Sequence, residues 1–171
     1  MEKLLAGLNP SKASGPDRIH CSFLKETAKE LAPIFTCIFR QSISSATLPK
    51  VWTDAFVAPV FKKGARCMPE NYRPVSLTCV PCKILEHIIA KHYRKHLERH
   101  GILTPLNHGF RSKFSCETQL LLTLQDLLTF REKKIQVDLA ILDFSKAFDT
   151  VPHDHLLGKM ECYGVHGPFL D

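Results

Sequence analysis

From Pro81 to Arg99 the apolar residues Ile84, Leu85, Ile88, Ile89, Tyr93 and Leu97 recur at the spacing of one helix face, and Gly101 follows as a stop. That pattern commits the middle of the chain to a long amphipathic helix with a core on one side. Other segments follow the same logic. "LNPSKASGPDRIH" (Leu8 to His20) is a loop turning at Gly15-Pro16-Asp17. Helix resumes with Phe23, Leu24 and Ala28 on one face, and Pro33 is placed as the first residue of a second helix reaching about Ser44. Leu48-Pro49 closes that segment. A leucine-rich helix is expected over Cys116–Arg131, and a final one after Pro152-His153-Asp154.

Strand signals are fewer. "DAFVAPVFKKG" (Asp54 to Gly64) reads as an apolar strand that Pro59 confines to an edge. A second short strand near Val75–Thr78 pairs with it, and "IQVDLAIL" reads as a strand ending at Asp143. Helical first and then mixed, the order predicts an α+β fold that is rich in helix. With 171 residues, 44% of them hydrophobic, the chain can bury one sizeable core.

No apolar run approaches the ~20 residues needed to span a bilayer, so no membrane partner is expected. The N-terminus lacks the pattern of a signal peptide. Seven irregularly spaced cysteines point to reduced thiols and an intracellular protein, nuclear or cytoplasmic.

Several groups are candidates for chemistry. Asp143 ends an apolar run and delivers a carboxylate where a divalent cation can bind. Spacing alone favours instead a turn cap at Asp143, with Asp149 paired to Lys146 or capping the helix near Pro152. Lys62, Lys63, Arg66 and Arg73 flank the hairpin, where they can grip phosphate or form a solvated charged loop. Arg111 in "NHGFRSKFS" is open to the same two readings. The net charge of +6 fits a polyanionic partner. Cys79, Cys82, His96 and His100 nearly match a two-Cys, two-His zinc finger, but Glu86 and His92 stand where that finger needs core residues. A histidine-rich solvated stripe of His92, His96 and His100 is the simpler account.

In order along the chain stand "SKASGPDRI", "VAPVFKKG", "NYRPVSLT", "CKILEHII", "NHGFRSKFSCETQLL" and "ILDFSKAFDTVPHDHLLGKMECYG". Together they resemble the fingers and early palm of a reverse transcriptase from a non-LTR (LINE-type) retrotransposon. The resemblance implies a right-hand polymerase fold, with residues 8–131 as fingers and 132–171 as the start of the palm. It implies Mg²⁺ as cofactor, with an RNA template, a DNA primer and deoxynucleoside triphosphates as partners. Asp143 matches the first catalytic aspartate of the palm, which binds both metals, and the Phe144 carbonyl completes a ligand position. Phe148 matches the aromatic gate that leaves no room for a 2′-hydroxyl. Lys62 or Lys63, with Arg73, match the residues that hold the triphosphate. Arg111 matches the arginine of the "GFR" motif, in contact with template or with the fingers themselves. Asp149 belongs to the motif without a metal assigned to it.

The sequence also departs from that family. The aromatic-Ala-Asp-Asp box that supplies the remaining metal carboxylates is absent, as is the glutamine-bearing palm motif before it. One aspartate does not hold two Mg²⁺ ions against water. The 171 residues by themselves are therefore expected not to polymerise DNA. The alternative reading is a non-catalytic nucleic-acid-binding module derived from such a domain. Without the strands of that box, Val137–Leu142 is expected to expose apolar edges.

Overall fold

The fold is described from a computed structural model, covering residues 1–145 and 147–170. The expected Lys146–Asp149 pairing therefore lies outside the described residues. The chain divides into two units: Met1–Tyr93 together with the stretch from Val165, and Arg94–Gly164.

In the first unit, helices α1 (Glu2–Ala6), α2 (Cys21–Glu26), α3 (Ala28–Ser45) and α4 (Lys50–Thr53) precede strands β1 (Phe56–Phe61) and β2 (Tyr72–Leu77). Helix α5 (Val80–Arg99) follows and runs past the unit boundary. The core gathers Leu5, Cys21, Leu24, Ala28, Phe35, Phe39, Trp52, Cys79, Val80, Cys82, Ile84 and Leu85. Phe39 meets Trp52 edge-on at 5.7 Å, an arrangement aromatic quadrupoles favour. The Gly167–Phe169 turn packs on α3.

Two helical expectations need correction. Pro33 does not start a helix; it lies inside α3, which begins at Ala28. The Thr27 N–H bonds to the Phe23 carbonyl and the Leu31 N–H to the Thr27 carbonyl, so the backbone stays wound across the α2–α3 junction. Pro33 is exposed, and its missing N–H cannot bond the Lys29 carbonyl one turn back. Phe23 is likewise exposed, while Leu24 and Ala28 are buried as expected.

β1 and β2 pair antiparallel with Phe56 opposite Leu77 and Phe61 opposite Tyr72. Lys62 donates to the Asn71 carbonyl at 2.8 Å, which fixes the phase of the ladder. Alternation then places Pro59 and Pro74, which face each other, at a non-hydrogen-bonded pair. Both prolines thus face outward, one on each edge, where they cost no ladder bond and discourage a third strand.

In the second unit, α6 (Cys116–Glu132) begins with a capping box between Ser115 and Thr118, and α7 (His153–Cys162) follows Pro152. Among the described residues of this unit, Leu97 and His108 are the buried ones, and α6 buries none of its leucines. The expected strand over Ile135–Leu142 does not form. Among the described residues the second unit has no strand that could pair with its N–H and C=O groups. Ile141 and Leu142 are 85% and 86% exposed. The described residues are thus helix-rich with one two-stranded sheet. None of their helices is long and apolar enough to cross a membrane.

Candidate nucleotide and nucleic-acid site

The hairpin presents its cations on a braced turn. Gly64 adopts φ +92°, and the Asn71 side chain lies close beneath it, donating to the Ala65 carbonyl at 2.8 Å. The Tyr72 hydroxyl donates to the Arg66 carbonyl at 2.8 Å, and the Arg66 guanidinium lies 5.3 Å above the Phe61 ring. Lys62, Lys63 and Arg73 are all exposed. Because Arg73 pairs with Val60, strand alternation puts Lys62 on the face of Arg73 and Lys63 on the opposite face.

The remaining candidates fall in the second unit. Arg111 turns back on its own loop, donating from Nη1 to the Thr104 carbonyl at 2.9 Å and to the Asn107 carbonyl at 3.4 Å. Its guanidinium lies 4.5 Å from the Phe114 ring centroid. Phe114 in turn meets buried His108, whose Nδ1 lies 2.7 Å from the Thr118 hydroxyl. These contacts set the loop against the start of α6. Phe110, held in the left-handed region at φ +59°, meets the ring of Phe148 edge-on at 6.0 Å. Sequence reasoning missed Phe110, although it is the aromatic of the same "GFR" motif.

Asp143 and Phe144 stand exposed in the irregular stretch before this pair, and Asp149 in the turn after Phe148. Asp143 makes no hydrogen bond or ion pair with the described residues. No group of three or more His, Cys, Asp or Glu side chains among the described residues could hold a metal. One lone carboxylate with a neighbouring carbonyl does not fit a pair of Mg²⁺ ions, which keep near-octahedral oxygen shells.

The cysteines of the zinc-like spacing serve packing. Cys79 donates its thiol to the Val51 carbonyl at 3.2 Å, and Cys82 lies 3.5 Å from Glu86 Oε1. Burial, reinforced by the Glu86 charge, pushes the Cys82 thiol up to about 11, and burial also raises Cys79. Alkylation of the native protein at pH 8 is therefore expected to modify Cys37, Cys67, Cys116 and Cys162 and to spare Cys21, Cys79 and Cys82. Intact mass should show four adducts before denaturation and seven after it. A fifth rapid adduct would contradict this assignment. The histidine stripe is also not wholly solvated: His96 is half-buried, with Nε2 2.6 Å from the Tyr163 carbonyl.

Residues 60–170 match the reverse transcriptase (RNA-dependent DNA polymerase) family. The chain belongs to that family. The match takes in Lys62, Lys63, Arg73, Arg111, Asp143, Phe144 and Phe148, and relatives carry the likeness over as much as 94% of the chain. Across 167 residues the chain is 27% identical to the probable RNA-directed DNA polymerase from transposon BS of Drosophila melanogaster, covering 94% of this chain and 18% of that protein. It is 28% identical over 152 residues to the corresponding polymerase from transposon X-element of the same organism, covering 88% and 17%. The retrovirus-related Pol polyprotein from type-1 retrotransposable element R2 of Popillia japonica is 26% identical over 118 residues, covering 69% and 16%. The chain thus spans under a fifth of the length of these curated relatives. The expected kinship with non-LTR retrotransposon reverse transcriptases holds.

Proposed function

We propose that this reverse transcriptase segment is the fingers and opening palm of a right-hand RNA-directed DNA polymerase acting inside the cell. In this reading it grips an incoming deoxynucleoside triphosphate against an RNA template and a DNA primer. The observation that carries the reading is the family match over residues 60–170, which contains the cations of the hairpin and Asp143 together. Lys62 and Arg73, on one face of the hairpin, neutralise triphosphate oxygens, Arg as a two-pronged donor and Lys as a point charge. Phe148, with Phe110 against it, walls the sugar and rejects a 2′-hydroxyl by contact. Arg111 holds the loop that carries Phe110. Asp143 and the Phe144 carbonyl are the first ligands toward the family's Mg²⁺, which supplies charge neutralisation for phosphoryl transfer when bound.

The 171 residues alone contribute one of the metal carboxylates, so they are proposed not to polymerise. Primer extension on an RNA template with Mg²⁺ or Mn²⁺ should give no product. Extension that vanishes in Asp143→Ala would overturn the proposed inactivity. A second reading, a binding module without catalysis, is favoured by the exposure of Lys62, Lys63, Arg66 and Arg73. Photocrosslinking with labelled dTTP separates the two. Crosslinking competed by unlabelled dNTPs and lost in Lys62→Ala/Arg73→Ala supports a nucleotide grip. RNA retention without it supports the module.

A further inference from the structure

His96, in the last turn of α5, and His100, just past its end, lie with their ring centroids 4.3 Å apart and their planes inclined at 43°. Each ring is pinned through one nitrogen. His96 Nε2 lies 2.6 Å from the Tyr163 carbonyl, and His100 Nδ1 lies 2.9 Å from the His96 carbonyl. A carbonyl oxygen only accepts, so both of those nitrogens carry hydrogen. In the neutral rings the lone pairs are therefore on His96 Nδ1 and His100 Nε2. This is the arrangement that imidazole ligands adopt at metal sites, where the non-ligating N–H donates to a carbonyl that fixes tautomer and orientation. His96 is half-buried and His100 exposed, so the pair joins a positioned ring to an open approach. Gly164, at φ +81°, lets the chain close over His96; a Cβ there would lie 3.6 Å from His96 Nε2.

We infer that His96 and His100 form a two-point chelate for a divalent transition-metal ion that favours imidazole, such as Ni²⁺ or Zn²⁺. Each nitrogen would bind at about 2.0–2.1 Å for Zn²⁺, with water completing the shell. The site is separate from Asp143 and shares no residue with the polymerase reading. It also does not use the buried thiols of Cys79 and Cys82.

Calorimetric titration of the whole chain with Ni²⁺, under a reductant without thiols, tests the inference. One ion should bind per chain. His96→Ala and His100→Ala should each weaken binding about a hundred-fold, because losing one arm abolishes the intramolecular second contact. His100 is exposed, so His100→Ala leaves the fold intact even if His96→Ala does not. His92→Ala, one turn earlier on α5, should bind as the unaltered chain does. Unchanged affinity in His100→Ala, loss of the site in His92→Ala, or no Ni²⁺ binding to the unaltered chain would each overturn the inference.

Discussion

Replacing Gly15 with alanine is expected to destabilise the Met1–Tyr93 unit by about 3 kcal/mol, the upper end for overpacked interiors. Gly15 is buried at the head of a turn in which the Arg18 N–H donates to its carbonyl at 2.9 Å. Asp17 Oδ1 steadies the exit of that turn by accepting from the Ile19 N–H at 3.2 Å. A Cβ on Gly15 would fall 2.5 Å from Cys79 N and from Thr78 C, and 2.6 Å from Cys79 Cα. These are backbone atoms at the entrance to α5, and they cannot swing aside as a flexible side chain would. Either the turn or the start of α5 must move, and both are tied to the core through Cys79 and Val80. Urea unfolding followed by far-UV circular dichroism should show the midpoint falling. Gly158→Ala in α7 is the control: nothing lies within 4 Å of its Cβ position, and alanine favours helix by about 0.5–1 kcal/mol. An unchanged midpoint for Gly15→Ala would mean that the loop does not pack on α5 as described.

Long periodic segments were legible before the structure. The Pro81–Arg99 pattern became α5, which starts one residue earlier, and Cys116–Arg131 became α6, one residue longer. The pairing of the hairpin was legible because Pro59, the Gly64 turn and two apolar runs agree, but β2 spans Tyr72–Leu77 and begins three residues before the expected Val75. Helices α1 and α4, of five and four residues, were not. Elements that short have little helical preference of their own and form because Leu5 and Trp52 are buried. The strand at Ile135–Leu142 shows the opposite failure. Its apolar run has strand character, but a strand exists only with a partner. In the candidate site the residue types were legible and their contacts were not. Nothing in "GFR" reveals that Arg111 bonds its own loop carbonyls while Phe110 reaches Phe148.

Neutralising the hairpin should cost far more nucleic-acid affinity than any other surface change in the first unit. Lys62→Ala/Lys63→Ala/Arg73→Ala removes three exposed cations, and none of the three side chains braces the turn. That task belongs to Asn71, Tyr72 and Arg66. The fold should therefore survive, and the change in binding reports charge alone. If each cation neutralises one phosphate of single-stranded RNA, the slope of log affinity against log salt should become shallower by about 2. At about 0.1 M salt that corresponds to a loss of about a hundred-fold. Fluorescence anisotropy with labelled single-stranded RNA across a salt series measures both quantities. Arg66→Ala gives a useful contrast, since its guanidinium is stacked on Phe61 and its loss should also loosen the turn. A triple variant with unchanged slope and affinity would remove the hairpin from the nucleic-acid surface. The basic character of the chain would then have to act through other residues.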